Sequence, residues 1–148
     1  MRKFTLQFGV PKYGWLTVVL TSAAGAIEVV ASDISVDSLR ELAGGALRIA
    51  QGTSDYSEIN WFLEPGYLQW CLARDAEEVS LAVQVNLDEP FLIVAAGTPE
   101  DVLTPIWQGL RQLQADCKWD ADDFESWSST FPSEEVAQLG RHLAKTTS

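Results

Sequence analysis

Val79-Ser80-Leu81-Ala82-Val83-Gln84-Val85-Asn86-Leu87 places a large apolar side chain at every second position, with Ser80, Ala82, Gln84 and Asn86 between them. Successive side chains of a strand point to opposite faces, so this run predicts a β-strand with one buried face. Asp88-Glu89-Pro90 ends it, and Phe91–Ala96 follows as a continuous apolar run, the pattern of a last strand buried on both faces. On the amino-terminal side, Arg74–Glu78 is charged and turn-like, and Leu68, Trp70 and Leu72 occupy one side of the run before it. Glu64-Pro65-Gly66 is a turn signal, and Ile59, Trp61 and Leu63 alternate ahead of it. The centre of the chain therefore reads as a four-stranded meander.

The flanks extend the same logic. Phe4, Leu6 and Phe8 alternate into a Gly9/Pro11/Gly14 turn cluster, and Trp15–Thr21 and Ala26–Ala31 read as a hairpin around Ser22-Ala23-Ala24-Gly25. Leu39, Leu42, Ala43, Ala46, Leu47 and Ala50 recur at helical steps, predicting a helix from about Val36 to Gln51 with Gly52 as its stop. Gly44 and Gly45 inside it each cost about 1 kcal/mol relative to alanine, which close packing of that turn on a sheet would offset. Thr98-Pro99-Glu100-Asp101 is a helix start, and Val102, Leu103, Ile106, Trp107, Leu110, Leu113 and Cys117 continue its stripe. Pro105 lacks an amide donor, so one helix with an irregular beginning is expected there. Ser133-Glu134-Glu135 opens a short last helix with Val136, Leu139 and Leu143 inward, and Ala144–Ser148 is expected to fray. The fold class is α+β in the order β-ββ-α-ββββ-α-α: residues 1–148 as a single domain, helices packed on a sheet of six to seven strands, antiparallel with a mixed sheet left open.

Composition narrows the function. The 148 residues are 47% hydrophobic and carry 21 Asp+Glu against 10 Lys+Arg, a formal net charge of −11. A chain this long buries roughly 68–70% of its unfolded surface, which excludes intrinsic disorder. The negative excess repels phosphate backbones and anionic headgroups, and the cations are scattered, so neither nucleic acid nor a membrane is an expected partner. No run approaches the roughly 20 apolar residues of a spanning helix. Arg2 and Lys3 precede an alternating stretch without a small-residue cleavage site, and Cys71 and Cys117 match no metal or redox spacing. A cytoplasmic protein without a disulfide framework is the expectation.

Motifs for chemistry are missing. His142 is the only histidine and falls on the polar side of the last helix, so it reads as a solvated residue. Nothing near either cysteine in sequence would lower its pKa, and the glycines lack the spacing of a phosphate cradle. No enzyme activity, metal or cofactor is expected. The informative stretch is Asp116–Pro132. Between Pro99 and Glu135 there are nine acids against Arg111 and Lys118, and the acids of Asp116–Pro132 are interleaved with Trp119, Phe124, Trp127 and Phe131. Asp120-Ala121-Asp122-Asp123 lacks the central glycine and the bidentate glutamate of a calcium loop. Two readings remain: a solvated acidic connector whose rings pack on the sheet, or a docking face for a basic protein. Acids steer a cationic partner, while aromatic anchors supply buried contact energy. Asp116, Trp119, Asp120, Asp122, Asp123, Glu125 and Trp127 are the residues of that face, and Glu77, Glu78, Asp88 and Glu89 form a second candidate at the ends of the meander.

Trp15-Leu16-Thr17-Val18, Glu64-Pro65-Gly66-Tyr67-Leu68-Gln69-Trp70, and Trp127 followed by Phe131-Pro132 and Glu134 give the chain a layout that resembles small bacterial immunity proteins of polymorphic and contact-dependent toxin systems. The resemblance implies an inhibitor that binds a cognate toxin, such as a basic nuclease, and it carries over no catalytic residue. A cytosolic effector chaperone or adaptor, and a ligand-binding module or enzyme with a pocket lined by Trp61, Trp70 and Trp107, remain open beside it.

Overall fold

The structure, a computed structural model, describes residues 3–117, 127 and 129–146. It contains β1 (Phe4–Phe8), β2 (Trp15–Ser22), β3 (Gly25–Ser32), α1 (Ser38–Gln51), β4 (Tyr56–Phe62), β5 (Tyr67–Asp75), β6 (Glu78–Val83), β7 (Leu92–Gly97), α2 (Pro99–Asp116) and α3 (Ser133–Thr146). The strands form one seven-stranded sheet in sequence order, and every pairing is antiparallel. The α+β class and the element order are those expected.

Period-2 patterning decides which face of the sheet is inside. Leu16, Val18 and Leu20 of β2, Ile59 and Trp61 of β4, Leu68, Trp70 and Leu72 of β5, and Val79, Leu81 and Val83 of β6 all point into one core. α1 packs on β4 and β5, α2 on β1, β6 and β7, and α3 on α1 and α2. Because β1 and β7, the two ends of the strand order, both reach α2, the sheet curls around its helices. Its weakest seam is internal. β3 and β4 are joined at a single position, Ser32 opposite Phe62, and a side chain reinforces it: Ser32 Oγ donates to Glu64 Oε1 at 2.9 Å, just past the end of β4, while Ser38 Oγ on α1 donates to the Asn60 carbonyl and ties that helix to β4.

The helix ends follow capping chemistry. Asp37 accepts from the Arg40 amide at 3.2 Å to start α1, and Gly52 at φ 73 closes it in the left-handed conformation that glycine adopts without strain. Thr98 and Asp101 form a reciprocal capping box on α2, which continues through Pro105 as one helix. Its beginning is regular. α3 continues to Thr146, past the expected fraying point, with Leu143 buried against the core.

The glycine pair in α1 splits into two roles. A Cβ at Gly45 would sit 2.5 Å from Ser57 Oγ on β4, the close sheet packing anticipated, whereas one at Gly44 meets only the tip of Arg48 at 3.2 Å. Gly44→Ala should therefore gain up to about 1 kcal/mol of helix propensity, raising Tm by about 2–4 °C per kcal/mol for a chain of this size. Gly45→Ala should lower it. Paired thermal melts check both signs.

Two strand expectations need correction. The alternating run does not continue as strand to Leu87. β6 ends at Val83, because Gln84 turns its side chain back to accept from the Gln69 amide and to donate to the Glu89 carbonyl, each at 3.1 Å. Nor is Phe91–Ala96 buried on both faces. Phe91 precedes the strand, and β7 lies at the end of the sheet with β6 as its strand neighbour, leaving Leu92 and Ile93 45% and 53% exposed. Continuous apolar character came from an exposed patch as well as from the core.

Candidate functional site

The segment between β6 and β7 builds that patch. Gln84 ties it down as described, Glu89 donates to the Asn86 carbonyl at 3.3 Å, and Leu87 leans over the β4–β5 turn, where a Cβ on Gly66 would lie 3.1 Å from its Cδ1. A side chain on Gly66, at φ 91, would displace Leu87. The result is a ledge on which Val85, Leu87, Phe91, Leu92 and Ile93 stand between 38% and 53% exposed. Tyr67 and Phe62, rings 4.8 Å apart, continue it onto the outer face of β4 and β5. Asp88, at φ 64, and Glu89 are exposed within the same segment, so two carboxylates sit among the apolar side chains. Grouped apolar side chains left in water, rimmed by polar ones, mark interaction surfaces.

The residues singled out from sequence separate into several places. Asp88 and Glu89 lie on the ledge. Glu77 and Glu78 are exposed at the opposite end of β6, where Glu77 Oε1 is 3.5 Å from Arg74 Nη2. That arginine also donates to the Ile49 and Ala50 carbonyls at 2.8 and 3.3 Å, capping the end of α1. Asp116 is exposed at the end of α2 and accepts from Gln112 Nε2 at 2.8 Å. Trp127 does not face solvent. It is 3% exposed and its indole donates to Asp37 Oδ1, at the cap of α1, at 3.4 Å. Arg40, bonded to Glu135 Oε1 at 2.8 Å, fastens α3 to α1 beside it. Trp119, Asp120, Asp122, Asp123 and Glu125 lie outside the described residues. Phe91, Leu92 and Ile93 were missed as surface residues; the signal was the Asp88-Glu89-Pro90 break, which separates them from the meander's core pattern.

The tryptophan pocket does not form around Trp61 and Trp70, which are fully buried with ring centroids 5.0 Å apart and fill the space between sheet and helices. Trp107 lies under Arg111, its centroid 5.7 Å from the guanidinium carbon. A separate hollow of about 400 Å³ lies between Arg74, Glu77, Thr98, Glu100 and His142. Among the described residues, no three His, Cys, Asp or Glu side chains are grouped as a metal site needs, and no helix is long and apolar enough to cross a membrane.

The outer sheet face holds one thiol. Cys71 Sγ lies 3.0 Å from the Tyr56 hydroxyl, which also reaches Glu58 Oε1 at 3.1 Å. Burial pushes the thiol above its ordinary value and the nearby Glu58 charge adds to this, while the Tyr56 hydrogen bond opposes it. The bond to Cys71, burial and Glu58 also hold the phenol above its ordinary range. A raised folded value means that the neutral thiol's contribution is complete below the unfolded value and drains away as pH rises through the folded one. Stability measured by urea unfolding should thus fall as pH climbs past the ordinary thiol value of 9.0. Cys71→Ser, which keeps a hydroxyl in place and does not titrate there, should blunt that fall. An equal fall in both proteins would place the titrating group elsewhere.

Comparison of the chain with protein-family models, with curated proteins and with solved structures found no significant match to any of them, so the surface itself carries the functional argument.

Proposed function

We propose that this chain is a bacterial immunity protein, a stoichiometric and non-catalytic inhibitor that binds a cognate toxin in the cytoplasm of the producing cell. The observation that carries the reading is the ledge, where exposed Leu87, Phe91, Leu92 and Ile93 stand beside Asp88 and Glu89. Apolar anchors supply contact energy when buried in a partner, and carboxylates beside them favour a basic one, such as a nuclease. The net charge of −11 acts in the same direction over longer range.

The test expresses the toxin domain encoded by the adjacent open reading frame with and without this chain. Survival only in its presence supports the reading, and failure to rescue any neighbouring gene's toxicity overturns it. With purified components, Asp88→Lys/Glu89→Lys should slow association and flatten its salt dependence, and Phe91→Ala/Ile93→Ala should speed dissociation, with the fold intact in all cases. Unchanged rates in both variants would move the interface off the ledge. The hollow beside His142 favours a second reading, a small-ligand module, which a molecule retained through purification would support.

A further inference from the structure

We propose that the open edge of β3 takes up an extended, cationic segment of the partner as an added antiparallel strand; this rests on the reading of the chain as a protein-binding inhibitor. The direction of β3's backbone groups can be worked out. Asp33, just past its end, donates to the Gly14 carbonyl at 2.8 Å, on the side of β2. In an antiparallel strand the N–H and C=O of one residue point the same way, and the side alternates along the chain. Ala31, Val29 and Ile27 therefore bond to β2, and Ser32, Val30, Glu28 and Ala26 turn their backbone groups the other way. Ser32 meets Phe62 of β4. The same register would set Val30 opposite Glu64, but Glu64, at φ 56, has already turned the chain away. The backbone groups of Val30, Glu28 and Ala26 are left without a hydrogen-bond partner among the described residues. Two comparable edges are closed. A Cβ on Gly109 of α2 would lie 2.5 Å from the Leu6 carbonyl oxygen of β1, and on β4 Asn60 donates to Glu41 Oε1 at 2.8 Å and accepts from Ser38 Oγ.

Side-chain alternation along this edge specifies the occupant. Ala26, Glu28 and Val30 are exposed on the outer face, while Val29 is buried and Ile27 half-buried on the inner one. A strand laid beside them in the same pleat would set apolar side chains next to Ile27 and Val29, and the intervening ones next to Glu28. The Glu28 carboxylate has no ion-pair partner among the described residues, and opposite charges on neighbouring strands attract, so a lysine or arginine belongs there. Charge on an edge keeps unwanted strands away. Here it excludes a second copy, because the antiparallel register that uses all three open residues places Glu28 opposite Glu28, on chains that each carry −11. Both ends of the edge reach the ledge. Ser32 is opposite Phe62, whose ring packs on Tyr67, and the Ala23-Ala24 turn before Gly25 faces Leu92, Ile93 and Val94 across a hollow of about 340 Å³. A partner seated on the ledge therefore has β3 within its footprint.

The probe is a labelled octapeptide of alternating valine and lysine, titrated against the whole chain at low salt by fluorescence anisotropy, with amide exchange read in parallel. Saturable binding is expected, slowing exchange at Glu28 and Val30 and leaving Ile27 and Val29, already bonded to β2, unchanged. Residues directly opposite in an antiparallel pair share a face and turn their backbone groups toward each other, so the lysine amides of the probe meet Glu28 and its neighbours. N-methylation of the lysine amides should weaken binding at least about tenfold, and methylation of the valine amides should leave it unchanged, the charge being the same in both. Val30→Pro removes an N–H that faces away from β2, where an edge strand accepts proline, so it should fold and bind at least about tenfold more weakly. Glu28→Lys, at an exposed side chain, should weaken binding of this probe and favour the valine–glutamate octapeptide, which keeps the test decisive if the proline variant does not fold. No saturable binding, equal affinity for the lysine-methylated probe, or exchange protection confined to the ledge would each overturn the proposal. If the peptide does not bind while co-expression still rescues, the added strand fails and the inhibitor reading stands. If the peptide binds along β3 without rescue, the added strand stands and the inhibitor reading fails.

Discussion

Trp61→Ala is expected to lower the unfolding free energy by about 3–5 kcal/mol, and Trp70→Ala by a similar amount. Both side chains are completely buried on the inner face of adjacent strands. Trp61 is paired with Leu68 and Trp70 with Ile59, which makes the two rings diagonal neighbours, 5.0 Å apart and inclined at 65°. Each forms part of the wall around the other, so removal of either leaves a void that the sheet cannot collapse to fill. Domains of this kind are stable by about 5–15 kcal/mol, so either alanine variant loses a large share of the total. Trp61→Phe and Trp70→Phe keep the measurement possible if alanine prevents folding. Neither indole N–H has a partner among the described residues, and deleting an unpaired buried donor removes a penalty along with the contacts. The phenylalanine variants should therefore lose less than their lost volume suggests. An edge-to-face pair contributes about 0.5–1.5 kcal/mol beyond its area, so the double alanine variant should lose less than the two single losses added. Urea unfolding of the single and double variants checks this, and a single loss below about 1 kcal/mol would contradict the placement of these rings in the core.

What could be read from the sequence, and what could not, follows the range of the forces involved. The inner faces of β2, β4, β5 and β6 were legible because alternation in a half-buried strand is a local property. So were the stop of α1 at Gly52 and the start of α2 at Thr98, each set within one turn, whereas Asp37 was not singled out as the cap of α1 and the beginning of α2 was expected to be irregular. Leu92 and Ile93 were misjudged because an apolar run looks the same whether the last strand is covered or lies at the end of a sheet, and that depends on which strands pair. Trp127 was ambiguous for a similar reason. Its burial requires Asp37, ninety positions away, to meet it across the α1–α3 contact. Of the acidic candidates, Asp88 and Glu89 lie on a loop that holds exposed apolar side chains, a setting that tertiary structure decides.

Gly109→Ala offers the most direct test of how α2 meets the sheet. In an exposed helix the substitution gains about 1 kcal/mol of propensity, and Gly44 is expected to approach that case. At Gly109 the sign should reverse. The new methyl would lie 2.5 Å from the Leu6 carbonyl oxygen and 3.2 Å from its carbonyl carbon and Cβ. Unlike the Arg48 tip that faces Gly44, this neighbour is backbone, held in place by the pairing of β1 with β2. Either the helix retreats or the strand lifts, and a lifted strand draws Phe4 and Leu6, each 4% exposed, out of the core. Overpacking of this kind costs about 1–3 kcal/mol, large enough to exceed the helical gain and lower the urea midpoint. A Gly109→Ala protein as stable as the parent would mean that α2 does not press on β1 at this point.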